Sequence, residues 1–180
     1  MANIKAAPTP PKRRGRPPKQ AAPTIPSCFH HMDDRARKAI DRAAKLMEES
    51  AVYRTEAMNH PNTIRTYLKF KLAPLEHEEL HAIWLDVRNH IIAFERLASG
   101  SLTQANVYPR EVVKAALRHN AAGLVLAHNH PSGALEPSRA DVMLNESLLA
   151  VLALIDVKII DHFIVAGNSD PLSFKERGIF

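Results

Sequence analysis

Residues 121–128 read AAGLVLAH, a run with no charged side chain before its closing histidine. Eight such residues, ending shortly before the turn-forming Pro131-Ser132-Gly133, suit a buried strand. A buried strand needs cover, and the flanking sequence supplies it. PREVVKAALRHN (109–120) opens with a proline, has an early glutamate and carries apolar residues at helical spacing. DVMLNESLLAVLAL (141–154) reads as a second helix and IIDHFIVAG (159–167) as a further strand. From about Leu75 to Phe180 apolar runs alternate with helical stretches, the pattern of an α/β domain.

Upstream, HAIWL (81–85) and HIIAFE (90–95) are two short strand-like runs separated by DVRN, a turn composition, and are expected to form a hairpin. A helix is predicted from Pro61 to a point before Pro74, because proline is tolerated in a first turn and excludes helical backbone at the residue before it. Residues 31–51 carry apolar and charged residues at helical spacing, with Asp33 and Asp34 near the start where the macrodipole favours anions. The expected organisation is a tail over residues 1–31, a helical segment over 32–58 and an α/β domain over 59–180.

Charge divides unevenly between these parts. The chain has a formal net charge of +5. Residues 1–19 hold six of the 24 basic residues and no acid, which leaves 18 basic against 19 acidic residues elsewhere. The tail is rich in Pro, Ala, Lys and Arg and poor in bulky apolar residues, so it cannot offset the entropy of folding and is expected to be disordered. Within it, Lys12 to Lys19 (KRRGRPPK) resembles the core of an AT-hook, a minor-groove binder of A·T-rich DNA. Gly15 would let the backbone approach the groove floor, Arg13, Arg14 and Arg16 would sit in its negative potential, and Pro17 and Pro18 would keep the segment extended. The competing reading is a solvated basic arm that adheres to any polyanion.

No apolar run approaches the roughly 18–20 residues of a membrane helix, and the N-terminus lacks the apolar core of a secretory signal. The expectation is a soluble, cytoplasmic protein with no membrane partner, nucleoid-associated if the tail binds DNA. Cys28 is the only cysteine, which excludes an internal disulfide and a thiolate-rich metal site. A metal would have to be held by histidine and carboxylate, and there are ten histidines to draw on.

Two segments qualify. His77-Glu78-Glu79-Leu80-His81 fits the H-E-x-x-H pattern, which works on a helix, where residues four apart share a face. On a strand the two histidines would stand about 13 Å apart along the chain. Leu80, Trp84, Val87 and Ile91 also suit a helix, so periodicity leaves the matter open, but no metzincin continuation follows His81. The second segment is HNHPSGALEPSRAD (128–141). Here His128 and His130 are two apart at a strand end, on the same side and about 6.6 Å apart along it. Ser138 to Asp141 starts the next helix and could return Asp141 to the same point, completing the two imidazoles and one carboxylate of a catalytic zinc site. An S-x-x-D capping box would account for Ser138 and Asp141 equally well, and the histidines could be packing residues. Contiguous His-Asn-His is not the dispersed triad of the HNH nucleases.

The second segment also resembles the JAMM signature of the JAB/MPN metalloprotease superfamily, H-x-H, seven residues, then S-x-x-D, and most closely its RadC branch. YPREVVKAAL, DHFIVAG and the terminal LSFKERGIF agree with that pattern in order, so the resemblance covers about residues 60–180. Against that resemblance, the basic tail and the expected first helix stand where RadC proteins usually carry a helix-hairpin-helix region, and such a region is not expected here. The resemblance implies a cytidine-deaminase-like α/β fold with a central mixed sheet flanked by helices. It implies Zn2+ held by His128, His130 and Asp141, an activated water in the fourth position, Ser138 near the oxyanion, and a glutamate base from an earlier strand. Counting eight residues back from Asp86 gives Glu78 for that base, with Glu79 and Glu76 as fallbacks. The implied function is a peptidase or isopeptidase acting on a protein or peptide. The alternative is a DNA-associated accessory protein in repair, recombination or mobile-element maintenance that uses the tail.

Overall fold

The computed structural model describes residues 33–49, 61–100 and 107–180. They form, in chain order, α1 (Asp34–Glu49), α2 (Pro61–Leu72), β1 (Glu79–Leu85), β2 (Ile91–Ser99), α3 (Pro109–Arg118), β3 (Gly123–Asn129), α4 (Arg139–Ala153), β4 (Lys158–Val165) and β5 (Leu172–Ser173). The strands make one sheet in the order β2-β1-β3-β4-β5. β3 lies at its centre with every residue buried, antiparallel to β1 and parallel to β4, so the sheet is mixed.

Helices cover both faces, which is why β3 shows no polar alternation. On one face Leu80, Ala82, Trp84, Leu124 and Leu126 pack against Val112 and Ala115 of α3 and Leu148 and Leu152 of α4. On the other, Ile83, Leu85, Val125, Ala127 and Phe163 pack against Ile64, Tyr67, Leu68 and Leu72 of α2, with Ile40 of α1 alongside. Alternation along β1 and β3 therefore assigns each residue to one of two cores.

The element boundaries follow from local chemistry. Asp33 caps α1, its carboxylate accepting the Ala36 N–H at 2.7 Å. α2 starts at Pro61 and ends before Pro74, as expected. The hairpin turn is fastened by Asp86, whose Oδ1 accepts the N–H groups of Arg88 and His90, both at 2.8 Å. α3 stops at Arg118, two residues short of the expected end. Asn120 enters the left-handed region with φ 49°, and the Ala121 N–H returns to the Ala116 carbonyl in a Schellman closure.

The strands also differ from the sequence expectation. β1 starts two residues earlier, at Glu79, and β2 runs four residues past Glu95 to Ser99. The apolar runs mark only the buried part of the hairpin. β2 is an edge strand, so Glu95 and Arg96 remain in the ladder, Arg96 exposed and Glu95 half-buried. β5 was not anticipated, and two residues carry too little pattern to be seen. The tail, with its AT-hook-like segment, and residues 50–60 lie outside the described residues. Among the described residues no helix is long and apolar enough to cross a membrane.

Candidate metal centre

His128 is the penultimate residue of β3, fully buried, on the side of the sheet that Leu124 and Leu126 share with α3 and α4. The chain leaves the strand with the His130 N–H bonded to the Val165 carbonyl at 2.8 Å. It turns through Pro131-Ser132-Gly133, where Gly133 takes a φ of 81° and donates its N–H to the His130 carbonyl. The turn brings the Ala134 carbonyl to 2.6 Å from Nδ1 of His130. A carbonyl only accepts, so Nδ1 carries the proton and Nε2 of His130 is the nitrogen turned toward His128.

The capping box and the ligand reading of Asp141 hold together. Ser138 Oγ accepts the Asp141 N–H at 3.1 Å, and Asp141 Oδ2 accepts the Ser138 N–H at 2.6 Å. The cap fixes the carboxylate, and Oδ1 is left toward the histidines. The two Nε2 atoms are 3.0 Å apart, His128 Nε2 lies 3.5 Å from Asp141 Oδ1, and His130 Nε2 lies 3.7 Å from Oδ2.

Glu78 completes the group. One ligand atom from each of Glu78, His128, His130 and Asp141 lies within 4.8 Å of all the others. The backbone at Glu78 is held by the Gly100 N–H on its carbonyl at 2.8 Å. The fallback glutamates are engaged elsewhere. Glu79 turns to the opposite face, where it meets His81 Nε2 at 2.9 Å and accepts from Arg96 at 3.1 Å, and Glu76 pairs with Arg37 at the surface. His81 stacks on Phe94 with ring centroids 4.8 Å apart. The H-E-x-x-H segment thus enters a strand and cannot bring its histidines to one ion.

Two residues that the sequence reading passed over shape the site. Asn129 accepts the Glu79 N–H on Oδ1 at 2.8 Å and donates from Nδ2 to the carbonyls of His77 at 2.9 Å and Leu75 at 3.3 Å. It clamps the chain on both sides of Glu78. His162 of β4 places Nε2 at 2.9 Å from Nδ1 of His128 and stacks on Phe174. Its position inside an apolar strand gave it no pattern of its own, whereas the repeated polar bonding of Asn129 was concealed by its place between two histidines.

The electrostatics favour positive charge at the point of convergence. Burial opposes ionisation of Asp141, but the facing imidazoles of His128 and His130 and the Ser138 bond hold its carboxyl far below the ordinary carboxylate range. The Asp141 carboxylate raises the pKa of His130 against the opposing effect of burial, with help from the Ala134 carbonyl. Burial lowers that of His162 well below the ordinary imidazole value, and its nearness to His128 acts in the same direction. Asp141 Oδ1 is buried and accepts no hydrogen bond among the described residues. Two ligands about 2.0–2.1 Å from a tetrahedral zinc stand about 3.3 Å apart. The 3.0 Å between the two Nε2 atoms and the 3.5 Å from His128 Nε2 to Asp141 Oδ1 bracket that spacing, and the donor set of imidazole nitrogen and carboxylate oxygen suits such an ion. The residues fit a metal.

Comparison with known proteins agrees with this geometry. The model of the RadC-like JAB domain family matches residues 58–179. The chain is 58% identical over 124 residues to a UPF0758 protein of Dechloromonas aromatica, covering 69% of this chain and 55% of that protein. It is 54% identical over 124 residues, with the same coverage, to a UPF0758 protein of Nitrosomonas eutropha. It is 50% identical over 140 residues to one of Nitrosospira multiformis, covering 78% of this chain and 62% of that protein. The chain therefore spans less than two thirds of the length of each of these relatives. On a family match that includes all four residues of the cluster, the chain belongs to the RadC-like JAB domain family.

Proposed function

We propose that the chain is a zinc-dependent hydrolase of amide bonds, of peptidase or isopeptidase type, acting on a protein or peptide. The observation that carries this reading is the convergence of Glu78, His128, His130 and Asp141. When bound, zinc supplies a Lewis acid that polarises a carbonyl and brings the pKa of water toward neutrality. His128, His130 and Asp141 are the residues that would hold it. Glu78 accepts the proton of the attacking water at its carboxylate and delivers it to the leaving nitrogen. Ser138 Oγ accepts the Asp141 N–H in the cap, which leaves its O–H to donate toward the carbonyl oxygen as charge develops there. Asn129 keeps Glu78 in register with the ligands throughout. The test is incubation of zinc-loaded protein with a mixed peptide digest, read by mass spectrometry for new termini. Glu78→Gln should abolish them while zinc remains bound.

A second reading is favoured by the charge division of the chain, which puts six basic residues and no acid in residues 1–19. In it, Arg13, Arg14, Gly15, Arg16 and Pro17 bind A·T-rich DNA and localise the catalytic domain. Deletion of residues 1–20 should remove salt-sensitive DNA binding and leave the metal content unchanged.

A further inference from the structure

The two ring nitrogens of His128 face different partners. Nε2 turns toward His130 and Asp141, and Nδ1 lies 2.9 Å from Nε2 of His162. An imidazole binds a metal only through a nitrogen that carries no proton. His128 can act through Nε2 only if its proton is on Nδ1, and that proton points at His162. His162 must then accept on Nε2 and keep its own proton on Nδ1. Such a form is neutral, which suits a ring with no exposed surface that stacks on Phe174 with centroids 4.4 Å apart and planes 28° apart, although its Nδ1 meets no hydrogen-bond partner among the described residues. The opposite arrangement, with His162 donating to His128, would leave the His128 proton on Nε2 and close that nitrogen to a metal.

We propose that His162 is a positioning residue of the metal centre, fixing the tautomer and orientation of His128 by accepting its Nδ1 proton. The inference rests on the metal reading above. Ligand histidines usually donate to a carboxylate, a backbone carbonyl or water. His130 follows that habit with the Ala134 carbonyl, whereas His128 uses a second imidazole. An imidazole acceptor orients the ring without adding a negative charge behind it.

Two variants separate hydrogen bonding from packing. His162→Gln places a carbonyl where Nε2 stands and can still accept. His162→Phe fills the space and stacks on Phe174 but accepts nothing. The full chain is stripped of metal with a chelator, and nitrogen-15 chemical shifts of His128 are read at neutral pH. Zinc(II) affinity is then measured by competition with a chromophoric chelator. The expected result is an Nδ1-protonated His128 in the wild type and His162→Gln, loss of that form in His162→Phe, and zinc binding about 10- to 100-fold weaker in His162→Phe alone. The proposal is overturned if metal-free wild type holds the His128 proton on Nε2, or if His162→Phe binds zinc within twofold of wild type. The first measurement stands even if His162→Phe does not fold. A wild-type chain that takes up no zinc would sink the metal reading, whereas zinc uptake that His162→Phe leaves unchanged would sink the role of His162 alone.

Discussion

Leu80 lies opposite His128 across the antiparallel pair of β1 and β3. Continuing that register by two residues sets Glu78 opposite His130, so the start of one strand and the end of its neighbour bring Glu78 beside the histidines. The count also separates the neighbouring glutamates, because a shift of one residue on a strand reverses the face. Glu78 meets His128, His130 and Asp141, and Glu79 meets His81 and Arg96 on the far side.

This parity predicts distinct outcomes for Glu78→Gln and Glu79→Gln. The first should retain metal and unfolding midpoint and lose hydrolysis by several orders of magnitude. The second should retain hydrolysis and lower the unfolding midpoint, since it weakens the pairing with Arg96. Peptide cleavage and thermal melting on the same samples check both. Loss of cleavage in Glu79→Gln alone would move the base by one residue.

Ser138→Ala separates two roles of one hydroxyl. Loss of the cap should cost about 1 kcal/mol of stability. Loss of an oxyanion donor should lower the hydrolysis rate about 100-fold or more, with zinc still bound. A stability loss without a rate loss would restrict Ser138 to capping.

Much of this was legible in the sequence, for identifiable reasons. The β3 run, the helix starts at Pro61 and Pro109 and the His128–Asp141 spacing are each set by local chemistry, so they can be read from neighbouring residues. The His128–His162 contact spans 34 residues and joins two strands by their parallel register, which no local pattern encodes. The Asn129 clamp likewise reaches back 50 residues or more to the chain around Glu78. The continuation of β2 past Glu95 was obscured because edge strands tolerate charge.

Acid sensitivity should follow from His81. Burial lowers its pKa although the Glu79 carboxylate acts the other way. The unfolded chain takes up this proton near 6.5 and the folded chain only at lower pH, so the unfolded state binds more protons between those values. Stability is therefore fully present above about 6.5 and is lost as the pH falls below it. Urea midpoints at pH 7.5, 6.5 and 5.5 should fall in that order, and His81→Gln, which does not titrate, should fall less. An equal fall in both would remove His81 from the account.

Trp84, the single tryptophan, reports on the opposite edge. Its Nε1 donates to Glu95 at 3.0 Å, and the same carboxylate meets His119 at 2.9 Å and accepts from Arg118, tying β2 to the end of α3. Glu95→Ala leaves the buried indole N–H without an acceptor and should cost about 1–3 kcal/mol, with Glu95→Gln costing less than half as much. Unfolding followed by tryptophan emission measures both. Equal losses would show that Trp84 does not depend on that bond.

The central claim is that His128, His130 and Asp141 hold one metal ion per chain. Elemental analysis of purified wild type, His128→Ala, Asp141→Ala, His77→Ala and His81→Ala tests it most directly. The account predicts about one zinc per chain in the wild type and in the His77 and His81 variants, and none in His128→Ala or Asp141→Ala. Zinc retained in His128→Ala and Asp141→Ala, or lost in the His77 and His81 variants instead, would contradict it.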